Sequence, residues 1–227
     1  PDYMLASAQD HRPGEKGSRE HIWQATMGPD AVVFVNQPKF MSESPAVCPN
    51  FWRGNHILPH VAQWKDVLVG LYKHVPEAPL SFTHAYFPTA AFDEYVLRDN
   101  WAFARKGEGY LALWCSDDQA LVTSGRSAYR ELRAYGSDQI WLCQMGRAAR
   151  DSSFDAFQRK VIASELSSED LSVRFETLDQ QLLTFGWKDR LSIDSEPMAL
   201  ATSKHLENSY CSVDFEAENM DIRYGKQ

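Results

Sequence analysis

His84 and Tyr86 stand two apart in Thr83-His84-Ala85-Tyr86. Alternate residues of a β-strand share one face, so on a strand both side chains point the same way. A neutral imidazole takes up a proton, and a phenol gives or takes one. The pair has the groups for β-elimination on a uronic acid, with a nearby cation to neutralise the carboxylate. A half-buried His–Tyr pair in a sheet is the competing explanation. A second constellation is Asn50-Phe51-Trp52-Arg53-Gly54-Asn55-His56, which continues to Pro59-His60 and Gln63. Sugar sites use this mixture: rings stack on aromatics, while amides and guanidinium bind hydroxyls or carboxylates. Asn50, Trp52, Arg53, Asn55 and His56 are the candidate binding residues, and His84 and Tyr86 the candidate catalytic ones. The same loop also suits docking on a neighbouring domain.

Three further sets point elsewhere. His56 and His60 are four apart, but Pro59 disfavours the helix that would align them as metal ligands. No metal site is expected, and no cofactor. Asp93 and Glu94 are adjacent, so on a strand they face opposite sides and cannot flank one glycosidic bond. Arg126, Arg130, Glu131 and Arg133, with Tyr129 and Tyr135, offer Arg forks for carboxylates; a solvated charged face is the ordinary explanation. There is no P-loop, no dinucleotide-binding glycine fingerprint after a strand, no His-Glu-x-x-His and no Gly-x-Ser-x-Gly.

The elements that must position these residues are mostly strands. Ala31–Val35, Asp66–Tyr72, Leu80–Phe87 and Gln139–Met145 are apolar or β-branched runs bounded by turn formers. Trp101–Arg105 and Tyr110–Trp114 flank Lys106-Gly107-Glu108-Gly109, a β-hairpin. Further strands are expected at Ala120–Thr123, Leu171–Thr177, Gln181–Trp187, Leu191–Ile193 and Met220–Tyr224, with Leu178-Asp179-Gln180-Gln181 as a hairpin turn. Asp151-Ser152-Ser153 offers helix caps, and Phe154, Phe157, Val161 and Ile162 follow at helical spacing. One helix is therefore expected, ending near Glu165. Residues 38–60 hold four Pro and two Asn and read as a long loop. Frequent turns and short strands favour an all-β, mainly antiparallel sandwich with one short helix near 152–165, over a parallel α/β fold. No segment reads as a linker, so residues 1–227 are taken as one domain.

Composition narrows the partners. The chain has 227 residues, 44% hydrophobic and 24% charged, enough for a real core. A net charge of −8 argues against nucleic acid, which usually demands a basic stripe. No run of about 18 apolar residues occurs, so no membrane span is expected. Seven Trp suit both sheet cores and sugar-stacking surfaces. Four widely spaced cysteines leave disulfides, and with them the compartment, open. Pro1-Asp2-Tyr3 opens without an initiator Met and reads as a cut or processed end, with sequence expected upstream.

Glu20-His21-Ile22-Trp23-Gln24-Ala25-Thr26, Phe51-Trp52-Arg53-Gly54-Asn55, Trp101–Leu113 and Trp141–Gly146 resemble the β-sandwich part of heparinase II/III-like and related polysaccharide lyases. The stretch Gly146–Phe157, a strand exit into a short helix, is similar too. In that family an (α/α) helical toroid precedes an antiparallel β-supersandwich, and the cleft lies between them. The resemblance implies a C-terminal portion, with the helical domain as a missing upstream partner and a carbohydrate as substrate. It implies that the sandwich contributes a His, a Tyr or an Arg. Under a lyase mechanism His84 or Tyr86 would serve as base or acid, and Arg53 would neutralise the carboxylate as an enolate develops. Relatives with this architecture include hydrolases, so a lyase or a glycoside hydrolase is expected. A non-catalytic carbohydrate-binding or structural module is the alternative; a non-carbohydrate enzyme with an enclosed pocket is a third.

Overall fold

The computed structural model describes residues 2–76, 78–200, 205–207, 211–214 and 219–222. The chain opens with β1 (Met4–Ser7), β2 (Trp23–Thr26), β3 (Val32–Asn36), β4 (His60–Trp64), β5 (Val67–Tyr72) and β6 (Phe82–Tyr86). After a short 3-10 turn come β7 (Glu94–Arg98), β8 (Trp101–Lys106), β9 (Gly109–Cys115), β10 (Gln119–Leu121), β11 (Glu131–Tyr135) and β12 (Gln139–Arg147). Two helices follow, α1 (Ala148–Asp151) and α2 (Phe154–Ala163). Then come β13 (Leu166–Glu169), β14 (Ser172–Glu176), β15 (Leu182–Gly186), β16 (Ser192–Ile193) and β17 (Glu196–Pro197). The last described strands are β18 (His205–Glu207), β19 (Cys211–Asp214) and β20 (Asn219–Ile222). The strand expected over Met220–Tyr224 is thus seen as β20, and Tyr224 lies outside the described residues.

The fold is an all-β, antiparallel sandwich with little helix, as the turn spacing predicts. The first sheet has the order β1-β2-β3-β6-β11-β10, and the central sheet β4-β5-β12-β9-β8-β7. A third sheet runs β13-β14-β15-β16-β17. Period-2 alternation explains the layering. On β12, Trp141, Cys143 and Met145 pack toward the first sheet, while Ile140 and Leu142 join α2 and the third sheet. β5 divides likewise, with Leu68 and Tyr72 on one side and Val67, Val69 and Leu71 on the other. The central sheet is therefore apolar on both faces, as a strand covered on both sides must be. Ser153 caps α2, its hydroxyl accepting from Ala156 N at 3.1 Å. Phe154, Phe157 and Val161 of α2 pack into the second core.

Buried polar links tie the first two sheets together. Trp23 Nε1 donates to Tyr72 Oη at 2.9 Å, and Tyr72 Oη donates to Val35 O at 3.0 Å. Trp141 Nε1 donates to Thr83 Oγ1 at 2.6 Å, and Thr83 Oγ1 donates to Gln139 Oε1 at 2.7 Å. The bonds satisfy groups that would otherwise be costly to bury. They also fix the register of β6 over β12, and β6 carries His84.

Two expectations need correction. The proline-rich segment 38–60 is not loop to its end, because His60 begins β4. Residues 126–135 are not a solvated charged face throughout. Glu131–Tyr135 is an interior strand of the first sheet, and Glu131 is fully buried. Its pattern Glu131-Leu132-Arg133-Ala134-Tyr135 alternates polar and apolar residues. That is the signal of a half-buried strand, and the density of charge masked it.

Candidate functional site

Ala85 of β6 points into the core between the first two sheets. Phe82, His84 and Tyr86 therefore share the opposite, outer face. The register places Phe34 and Asn36 of β3 beside Tyr86 and His84. On the other flank it places Glu131, Arg133 and Tyr135 of β11 beside Tyr86, His84 and Phe82. The His–Tyr pair and the Arg cluster, far apart in sequence, thus meet on one sheet face.

The 50–56 loop folds over this face. Asn50 shapes its turn, with Oδ1 accepting from Trp52 N at 3.0 Å and Arg53 N at 2.8 Å, and Nδ2 donating to Ser44 O at 3.1 Å. Asn36 Nδ2 donates to Trp52 O at 2.8 Å. Gly54 sits at φ 77°, and a Cβ there would lie 1.9 Å from Ser18 O, so only glycine fits. Asn55 Oδ1 accepts from Gln37 N at 2.8 Å. Asn50 and Asn55, expected as sugar ligands, are buried and hold the loop in shape. Arg53 is exposed and His56 half-buried. Burial lowers the His56 pKa, and Lys39 and Lys16 add to it.

The centre is a buried polar cluster. His84 Nδ1 lies 3.2 Å from Glu131 Oε1, and His84 Nε2 lies 2.8 Å from Phe51 O. Both side chains of the His–Glu pair are 0% exposed. Arg133 Nε donates to the same Glu131 Oε1 at 2.7 Å, and its Nη1 donates to Tyr135 Oη at 3.1 Å. Burial pushes the Glu131 pKa up, but the bonds from His84 and Arg133 outweigh it and hold the carboxyl below its ordinary value. Burial pushes His84 down, against the pull of Glu131 and Phe51 O. Carbonyl and carboxylate oxygens only accept. A neutral ring can satisfy one of its two oxygen neighbours, and a doubly protonated ring satisfies both.

Aromatic rings form the outer layer. Trp52 stacks on the His84 ring, with centroids 4.4 Å apart and planes 13° apart. Tyr86 stacks on Phe34 at 5.3 Å and meets the Trp52 edge at 5.3 Å. Phe34, Trp52 and Tyr86 are half-buried, and Tyr135 is 62% exposed. The Arg133 guanidinium lies over the Phe82 ring at 4.5 Å. The face can stack on a flat apolar ligand surface and offer a cation beside it.

The structure thus brings His84, Tyr86, Asn50, Trp52 and the Arg53 loop together, and adds Glu131, Arg133 and Phe34. It leaves His60 elsewhere: that ring is on β4, 4.6 Å from Phe185 and 3.2 Å from Asp10 Oδ1. Asp93, next to Glu94, accepts from Lys106 Nζ at 2.9 Å and Gly107 N at 2.7 Å at the hairpin turn. Among the described residues no helix is long and apolar enough to cross a membrane. No family model, curated protein or solved structure matches the chain.

Proposed function

We propose that the chain is the β-sandwich portion of a carbohydrate-active enzyme, and that the outer face of its first sheet binds an oligosaccharide. The observation that carries this reading is the convergence of Phe34, Trp52 and Tyr86 with Arg133 on one partly exposed face. Sugar rings stack their C–H faces on such aromatics, and a guanidinium suits the carboxylate of a uronate. His84 is a positioning residue in this reading. Its ring has no exposed surface, and its two nitrogens face Glu131 and Phe51. Tyr86, half-exposed on the same face, is the group that reaches substrate. An upstream (α/α) helical domain supplies the other wall of the cleft. In support, Met4, Phe40, Met41, Tyr129 and Tyr135 are exposed apolar or aromatic residues on the first sheet and its loops.

A second reading, a binding module without chemistry, is favoured by one observation: the His84 imidazole is engaged by protein atoms on both nitrogens. Incubation with uronate-containing polysaccharides separates the two. Absorbance of the unsaturated uronate rising with reducing ends supports a lyase, and its loss in Tyr86→Phe with binding intact supports Tyr86 as acid or base. Reducing ends alone mean a hydrolase. Binding without either product means the module. Trp52→Ala should weaken binding about tenfold, since one stacked ring contributes about 1 kcal/mol or more. Unchanged affinity in that variant sinks the proposed face.

A further inference from the structure

A second polar groove lies along the third sheet, away from the Trp52 face. Its volume is about 990 Å³, at the upper end of the range of about 300–1,000 Å³ for small-molecule sites. Val173, Phe175, Leu183 and Phe185 of β14 and β15 point into the core. Ser172, Arg174 and Thr184 alternate with them, so they face outward, and all three line the groove. Trp187, immediately after β15, forms part of the wall and is half-buried. It is held on several sides. Lys73 Nζ sits 5.5 Å from its ring centroid, and the His60 ring meets it edge-on at 5.9 Å. A Cβ on Gly14 would lie 3.2 Å from Trp187 Cζ2.

The groove has a built polar centre. A Cβ on Gly186 would lie 2.5 Å from Asp189 Oδ2 and 3.1 Å from Ser172 Oγ. The bare backbone therefore lets a carboxylate and a hydroxyl converge beside the indole. The same Trp187-Lys188-Asp189 turn also lines an adjoining groove of about 510 Å³ with Asp10 and His60. A ligand longer than one ring can therefore run past Trp187 from one groove to the next.

We propose that this groove binds a neutral oligosaccharide. Trp187 stacks on a sugar ring, and Asp189, Ser172 and Thr184 bond its hydroxyls. Carboxylates accept from sugar hydroxyls in strong charge-assisted bonds. The charge balance selects a neutral ligand. Asp138, Glu169, Asp170 and Asp189 line the groove together with Lys73, Lys188 and Arg174, and Arg174 lies 3.2 Å from Glu165, so the two signs nearly cancel. A uronate would meet four carboxylates against three cations here. The site shares a ligand class with the proposed function but none of its residues, so the two stand or fall separately.

Two-dimensional amide and indole NMR of the 227-residue chain tests this. Cellohexaose, xylohexaose and mannohexaose serve as neutral probes, and oligogalacturonate as the acidic one. At least one neutral probe should shift the Trp187 indole and Gly186 amide signals. Thr184→Arg, a change on an outward, partly exposed position, should raise Kd about tenfold or more while leaving the rest of the spectrum native. Trp187→Phe keeps a ring in the same packing and should bind more weakly than the parent. No shift at Trp187 with any neutral probe overturns the site. So does a response to oligogalacturonate alone, or parent-like binding by Thr184→Arg. Shifts at Trp52 but not Trp187 would uphold the first-sheet reading and reject this one; the reverse would reject the first-sheet reading and keep the groove.

Discussion

The central sheet and the first sheet each have six strands, but their second faces meet different neighbours. The central sheet packs apolar side chains in both directions, with Trp141 and Cys143 on one side and Ile140 and Leu142 on the other. Its inner strands β5, β12, β9 and β8 are almost wholly buried. The first sheet buries Val33, Val35, Ala85 and Leu132 on one face and carries His84, Glu131, Arg133 and Tyr86 on the other. That face is closed by a loop rather than a layer. The loop brings a carbonyl, Phe51 O, to a histidine that a covering apolar sheet would leave unpaired. Polar groups survive burial on the first sheet because its cover supplies hydrogen-bonding atoms.

The comparison can be broken by substitution. The largest effect is expected in the central sheet, where Phe103→Ala leaves a cavity between β8 and α2. It should lower the unfolding free energy by about 3–5 kcal/mol. A loss below about 1 kcal/mol in urea titration would mean that the second core collapses onto the gap and is not tightly packed.

Glu131→Ala comes next. It leaves the Arg133 and His84 partners unmatched, and a loss of about 3 kcal/mol is expected. The linked pH effect has a definite sign. Glu131 is held below its ordinary value, so it contributes stability above its unfolded pKa of about 4.3 that is lost as pH falls through the folded one. Burial depresses His84, so its contribution is full above its unfolded pKa of about 6.5 and lost as pH falls below it. Both act in one direction. Urea midpoints should fall on acidification from about pH 7 to pH 3, and Glu131→Gln should flatten the lower part of that decline. A level midpoint would show that the cluster does not titrate with folding, and one that rises toward acid would reverse the assigned shifts. The smallest effect is at the edge of the second core: Ser153→Ala removes the α2 cap and should cost about 1 kcal/mol in thermal or urea unfolding.

Much of the framework is legible in local sequence. The hairpin at 101–115 follows from two apolar runs around Gly107, and the helix from Ser153 and the spacing of Phe154, Phe157 and Val161. Strands β1, β2, β4, β7, β11 and β13 escape the same reading. Polar residues interrupt them, as in Glu94–Arg98 and Leu166–Glu169, so no apolar run marks them. At the site, the shared face of His84 and Tyr86 follows from their spacing. The part played by Asn50 does not, because an amide that binds a sugar and an amide that shapes a turn look alike in one dimension.

The sequence by itself determines the all-β class, the short helix and the alternation that puts His84 and Tyr86 on one side of a strand, because these depend on periodicity and local turn chemistry. Only the tertiary structure decides that Glu131 and Arg133 lie beside His84 and that Phe51 O closes its other nitrogen. It also decides that Trp187, Asp189 and Ser172 border one groove. Those meetings depend on strand order and register. β6 lies between β3 and β11, and pairing between strands about fifty residues apart leaves no local mark in the chain.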